Sequence, residues 1–393
     1  MRGLILGLFV FLLASACNSP SAPAAEKPPG LTVRNKVLLL EGKPYRGIGV
    51  NYFSYFSRLI ADPNDTSSLT NLVALSKAKI PFVRFMCGGF WPTEQRLYLT
   101  NREAFFERLD RVVRCAESNH VGLVPSLFWN LPTVPDLASE PMQELGNTNS
   151  RSIALIRDYT TEVVSRYRGS CAIWAWEFGN EGSLSADLPN AAEHRPPSVP
   201  ELGTPKQRTS LDELKSSQLQ VAFIEFARTV RRLDPERLVL SGNALPRASA
   251  WHNTHEGNWK PDDAEQFREV LRRDNPDPMN GISIHIYPGQ SFPADATNLA
   301  QAVKLSALEA IAAGKPLFVG EFGVSRQAGP IENQKRIFGE LLAAIENAHV
   351  PLAAAWVFDF PGQDQDWNIT FENDRAFFLK MISETNQRIR SQP

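Results

Sequence analysis

Cysteine is scarce in this chain: four occur in 393 residues, at Cys17, Cys87, Cys115 and Cys171, and no two of them stand in a Cys-x-x-Cys spacing. That scarcity excludes a disulfide-framed fold and the zinc-finger patterns, and leaves room for one bridge at most if Cys17 is set aside. Charge of one sign is missing too. The 41 basic residues face 43 acidic ones for a net charge of −2, and no basic run stands out, so nucleic acid is not an expected partner. The apolar run from Leu4 to Leu13 is too short to be a membrane span. No Gly-x-Ser-x-Gly elbow is present, which disfavours a serine esterase. Gly47-Ile48-Gly49-Val50 lacks the third glycine and the helix of a phosphate turn. His252 and His255 with Glu256 lack a third ligand and a helical pattern, so neither a metal nor a cofactor is expected.

What is present begins with an export signal. Met1-Arg2, the apolar run and Ala14-Ser15-Ala16 form its three parts. Small residues directly before Cys17 also resemble a bacterial lipobox, with Ala14 where leucine is usual, so Cys17 is the expected site of lipidation. Residues 1–17 are then a signal peptide, and 18–30, rich in Ser, Ala and Pro, a flexible tether. The product is an exported protein, periplasmic or at the cell surface, whose one contact with a membrane is the lipid anchor; without lipidation it is secreted. A monomer is expected.

From Leu31 to Pro44 the pattern is a small hairpin. Eight β-rich runs follow, at 45–51, 80–86, 121–128, 172–180, 237–243, 281–287, 316–321 and 352–358, alternating with amphipathic helical patterns such as 101–119, 152–167, 210–233, 296–313 and 331–347. Eight strand-helix units predict a single (β/α)8 TIM barrel over 31–393, of the α/β class. Two long segments follow the fourth and fifth strands, at 182–209 and 244–261. The first should be irregular until Ser210-Leu211-Asp212-Glu213 opens the next helix as a capping box. In a barrel both lie on the catalytic face.

The strand ends carry the chemistry. They supply Asn51, Arg84, Asn180 with Glu181, Asn243, His285 with Tyr287, Glu321 and Trp356. Singly, each has an ordinary structural explanation. Together at one rim they do not, because a structural set has no reason to choose that face. Glu181 and Glu321 end the fourth and seventh strands, so two carboxylates can meet across the mouth, as glycosidic bond cleavage requires. Trp174 and Trp176 lie inside a strand and are read as core. Phe53, Tyr55, Trp91, Trp129, Trp251 and Trp259 are candidate platforms on which sugars stack.

Trp176-Glu177-Phe178-Gly179-Asn180-Glu181, His285-Ile286-Tyr287, Gly320-Glu321-Phe322-Gly323 and Trp356 resemble glycoside hydrolase family 5, the cellulase and mannanase family of the large retaining barrel clan. The resemblance spans about residues 38–385. It implies a retaining β-glycosidase acting on a β-mannan or β-1,4-glucan type of chain, with Glu181 as acid/base and Glu321 as nucleophile. It further implies that Asn180 holds the sugar 2-hydroxyl, that Arg84 and Tyr287 order the nucleophile, that His285 sits near the acid/base, and that Trp356 lies under the sugar at the cleavage point. Two departures stand out. Many members carry histidine after the third strand, where this chain reads Phe128-Trp129-Asn130, and Gly182 replaces a frequent proline. A carbohydrate-binding barrel without activity, and a transglycosylase, are the alternatives.

Overall fold

The computed structural model describes residues 30–292 and 296–391. The expected signal peptide, Cys17 and all of the tether but Gly30 lie outside the described residues. Gly30 itself is buried. Its φ of +74°, and the 2.1 Å that would separate an added Cβ from the Ile173 carbonyl, make it part of the barrel floor, not of a tether.

Three short strands, β1 (Leu31–Arg34), β2 (Val37–Leu40) and β3 (Lys43–Pro44), form the antiparallel hairpin sheet. Eight parallel strands follow: β4 (Gly47–Asn51), β5 (Phe82–Met86), β6 (Gly122–Phe128), β7 (Ala175–Gly179), β8 (Leu238–Leu240), β9 (Ile282–Ile286), β10 (Leu317–Phe322) and β11 (Leu352–Ala355). Their order is β8-β7-β6-β5-β4-β11-β10-β9. The sheet curls into a (β/α)8 barrel that is nearly closed. Between β8 and β9 no ladder forms among the described residues. The seam is bridged by Val239 N to Asn280 Oδ1 (2.8 Å), Gly242 N to Ser283 Oγ (3.3 Å) and Leu245 N to the His285 carbonyl (3.3 Å).

Alternation along the strands separates two cores. Outward residues such as Val83, Trp176, Ile284 and Val319 pack under the surrounding helices. Inward residues of the lower barrel, including Phe82, Val124, Trp174, Leu240 and Phe318, join Leu31 and Leu38 of the hairpin in a sealed apolar floor. Above this floor the inward positions turn polar: Asn51, Arg84, Ser126, Glu177, Ser283 and His285 are all buried.

The helices lie close to where periodicity puts them. Arg102–Asn119 is capped by the Asn101 side chain and Arg151–Tyr167 by that of Ser150. One helix start differs. Thr209 and Asp212 form a capping box, but it opens only a 3-10 turn, Ser210–Asp212, and the long helix runs Ser216–Leu233. The box lies one residue before the expected Ser210-Glu213 pair, because Asp212 keeps Oδ2 on the Thr209 amide (2.9 Å) while Oδ1 meets Met142 N (3.3 Å) and Arg208 (3.6 Å). The segment 244–261 is also more regular than expected. It contains a helix, Ala250–Glu256, whose Trp251 and His252 amides donate to the Asp262 carboxylate.

Strict alternation would point Glu321 outward, because Leu317 and Val319 face out and Phe318 faces in. A register shift intervenes: Val319 pairs with Ile284 but Glu321 with His285, so Gly320 is an extra residue. The same shift occurs against β11. Such a bulge reverses the parity of the residues beyond it, and Glu321 turns into the mouth. A Cβ on Gly320 would lie 2.7 Å from His285 Nε2. Gly320→Ala should therefore lower stability by about 1–3 kcal/mol, as overpacking does, measured as a fall in the urea midpoint of unfolding.

Candidate functional site

The site is organised around one guanidinium. Arg84, inward on β5 and wholly buried, donates from Nε to Glu177 Oε1 (2.7 Å), from Nη1 to Asn51 Oδ1 (3.0 Å) and Glu321 Oε1 (2.8 Å), and from Nη2 to Asn180 Oδ1 (2.8 Å). The face of Trp129 lies 4.3 Å from its carbon centre. A planar fork of donors suits such a set of acceptors. Glu321 receives a second hydrogen bond, from Tyr287 Oη to Oε2 (2.6 Å). Burial first, and then the neighbouring Glu321 charge, push the Tyr287 phenol well above its ordinary range, so it remains a donor.

Glu181 follows the end of β7 with a φ of 51°. Left-handed backbone is unusual for a residue with a side chain. It is held by the Glu181 amide donating to the Gly242 carbonyl (2.9 Å). The carboxylate meets His285, whose Nδ1 lies 2.9 Å from Oε1. Burial raises the Glu181 carboxyl above its usual range, with Arg84 opposing the shift. Burial also drives His285 down to about 3, so its ring is neutral at working pH and adds no positive charge that would pull the proton from Glu181.

One ligating atom from each of Glu181, His285 and Glu321 lies within 4.8 Å of the others. Those three groups could geometrically share a cation, yet the Arg84 charge already rests on Glu321, and a second cation there would be repelled.

Of the expected platforms, Phe53, Trp91, Trp129 and Trp356 come together. Phe53 packs against Trp129 (5.3 Å between centroids) and Trp356 (6.4 Å), and Trp129 stacks on Trp356 (6.1 Å). Trp91 joins through Phe90 (5.2 Å). The Trp356 indole donates to Gln363 Oε1 (2.8 Å). Tyr55 is not a platform: it is a fully buried core ring donating to the Val112 carbonyl. Asn51 is also fully buried, its amide committed to the Gly320 and Ala354 carbonyls, so it braces Arg84 and the bulge and has no face for substrate. Trp251 and Trp259 are not in the cluster. Trp251 stacks on His255 (4.2 Å) and donates to Glu269, while Trp259 is 52% exposed. His252 is taken up by Asp262 (2.8 Å). Asn243 is buried, accepting from Ser183 N and donating to the Asp274 carbonyl.

Sequence reasoning assigned no role to Glu177, Phe90, Phe360 or Trp367. Glu177 shares the inward parity of Ala175 and Gly179 and pairs in register with Ser126 beside Arg84, a signal that alternation carries. Phe360 reaches Phe53 (4.8 Å), and Trp367 packs edge-on to Tyr287 (5.1 Å) from a loop with no periodicity. The 182–209 segment walls a cavity of about 260 Å³ beside Glu181, bordered by Trp129, Asn180, His194 and Arg195. Bidentate pairing of the Arg208 side chain with Asp136 (2.7 and 2.8 Å) fixes that wall.

Removing one partner of a buried ion pair leaves an uncompensated charge. Arg84→Met should cost about 3–5 kcal/mol. Adding Glu177→Met should recover part of that loss, as urea unfolding of the two single variants and the double variant would show.

The profile of the cellulase family (glycosyl hydrolase family 5) matches residues 50–358. Among solved structures, an endo-1,4-β-mannanase from Rhizomucor miehei is similar at a TM-score of 0.66 and 16% identity, covering 92% of this chain and 100% of its own. A family 5 mannosidase from the same organism gives 0.63 and 14%, covering 93% and 99%. A β-glucanase from Saccharophagus degradans, in complex with cellotetraose, gives 0.55 and 15%, covering 93% and 97%. A comparison with curated protein sequences finds no match. At these identities the structures show a shared fold, and the family profile, spanning most of the barrel, shows more: this chain is a glycoside hydrolase and belongs to glycoside hydrolase family 5.

Proposed function

We propose that the protein cleaves a β-1,4-linked mannan or glucan type of chain by double displacement, with Glu321 as nucleophile and Glu181 as acid/base. The observation that carries this reading is the contrast between two close carboxylates. Glu321 accepts from two donors, Arg84 and Tyr287, which hold its carboxylate toward the mouth. Glu181 has only a neutral imidazole beside it, and burial holds its proton. One oxygen of each lies within 4.8 Å of the other, which suits the separation of about 5–5.5 Å in a retaining pair better than the about 6.5–9.5 Å of an inverting one.

In the first step Glu321 attacks the anomeric carbon while Glu181 gives its proton to the departing oxygen. A covalent glycosyl ester on Glu321 results. In the second step Glu181, now a carboxylate, takes a proton from water as that water displaces Glu321, and the starting protonation returns. Asn180, anchored through Oδ1 by Arg84, offers its remaining amide donors to the sugar, and the aromatic cluster supplies stacking faces. Mannan ranks first as substrate, on the mannanase and mannosidase structures the barrel resembles. Activity on mannan, glucan and xylan, with product sizes read out, tests this directly. Added acceptor sugars distinguish hydrolysis from transfer. Export with lipidation at Cys17 belongs to the same proposal, and Cys17→Ala should shift the protein from the membrane fraction or leave it unprocessed.

The two glutamates should fail differently. Glu321→Ala should abolish turnover of every substrate. Glu181→Ala should retain formation of the glycosyl-enzyme from an activated aryl glycoside, and azide should rescue turnover as the β-glycosyl azide. Near wild-type activity in both variants would overturn the assignment.

The pH profile follows from the raised carboxyl of Glu181. The acid form is present below its pKa and lost above it, so kcat/KM should fall on the alkaline side. In Glu181→Ala, assayed on the activated glycoside, that limb should disappear.

A further inference from the structure

The floor end of the barrel, remote from the two glutamates, holds a cavity of about 600 Å³. It opens between the hairpin, the helix Leu299–Ala313 and the C-terminal helix Phe377–Ser391. Its walls are apolar: Val37, Leu38, Tyr45, Ile311, Leu317 and Ile389. Its remaining polar side chains are all potential cations, Lys36, Arg46, Lys315, His349 and Arg390, and no carboxylate lines it among the described residues. Lys315 is ion-paired with Asp277 (2.9 Å) and His349 Nδ1 meets Arg46 Nη1 (3.3 Å), so Lys36, Arg46 and Arg390 carry the positive charge of the rim.

Three further observations bear on the occupant. Ile311 is 63% exposed and Leu308, one turn earlier on the same helix, 54%, so the apolar wall continues out of the cavity. Arg46 Nε is buried without a hydrogen-bond partner, although Nη2 donates to the Glu346 carbonyl (2.9 Å). The chain also enters this end: Leu31 N donates to the Trp174 carbonyl in the floor (3.0 Å).

We propose that this cavity binds an anionic amphiphile, its hydrocarbon tail against Val37, Leu38, Ile311 and Ile389 and its acidic headgroup among Lys36, Arg46 and Arg390. A concave apolar site with a few converging polar groups, in the size range of about 300–1,000 Å³, is the usual build of a small-ligand pocket. Apolar walls alone would accept any hydrocarbon. The cationic rim selects the anion, as basic residues do at acidic lipid surfaces. Bound there, an acidic bilayer lipid would hold the floor of the barrel toward the membrane and leave the glutamates at the opposite end free for a polymer.

The test uses the full exported chain and variants that share its N-terminus, so any binding through residues 1–29 is common to all. Lys36 and Arg390 are exposed, so charge reversal there leaves the core intact. Displacement of bound anilinonaphthalene sulfonate by oleate should be saturable, and oleyl alcohol should compete about tenfold more weakly or worse. The Lys36→Glu/Arg390→Glu double variant, and separately Ile311→Glu, should lose oleate binding by a similar factor with glycoside hydrolysis unchanged. Vesicles of phosphatidylglycerol, against phosphatidylcholine, identify the source: competition by the former assigns bilayer headgroups, and competition by oleate alone assigns a free fatty acid. Equal affinity for oleate and oleyl alcohol, or equal oleate binding in all variants, would overturn the proposal.

Discussion

The mouth of the barrel depends on keeping Arg84 charged and buried. A guanidinium without solvent must be matched by acceptors, and Arg84 finds them on four sides, at Glu177, Asn51, Glu321 and Asn180. Glu177 brings a second carboxylate to the same guanidinium from below, so Arg84 is shared between Glu177 and Glu321 and ties the two strands that carry them. Lysine could not replace Arg84, because one ammonium cannot span the set.

Both glutamates reach the mouth through backbone that departs from regular strand. Glu181 sits in left-handed geometry just beyond β7, and Glu321 follows the bulge at Gly320. Departures of this kind persist where surrounding contacts over-determine them. Here the Gly242 carbonyl fixes the first and the Asn51 amide, on the Gly320 carbonyl, the second. His285 touches both features, with Nδ1 on Glu181 and Nε2 against the bulge.

The barrel also divides its labour along its axis. Apolar rings seal the lower half and the hairpin closes it, so polar residues above them lie in a dry, rigid setting where hydrogen bonds and charges are strong. Aromatic rings gather at the mouth, and basic side chains gather around a cavity at the floor. The mouth draws rings from loops beyond the strand ends, whereas the floor cavity is walled by the hairpin and two helices, since the barrel strands run continuously between the two ends.

Much of this was determined by sequence alone. Period-two alternation gave the eight strands within a few residues, and the motifs around Glu181, His285, Tyr287 and Glu321 placed those side chains at one rim, because strand ends of a barrel must converge. What tertiary structure decided were the matters in which local pattern competes with long-range partners. Alternation by itself turns Glu321 outward, and only pairing with β9 and β11 shows the extra residue that turns it in. Asn51 read as a strand-end group for substrate and Tyr55 as a sugar platform, but neighbours distant in sequence enclose both. A capping box read from Ser210 to Glu213 forms one residue earlier, between Thr209 and Asp212, and Met142 and Arg208 also engage Asp212, so only a single turn follows and the helix waits until Ser216. Trp367 and Phe360 join the site from a loop without periodicity. Sequence determined which groups stand at each strand end; packing between strands and loops, which have no fixed spacing along the chain, decided which way each one faces.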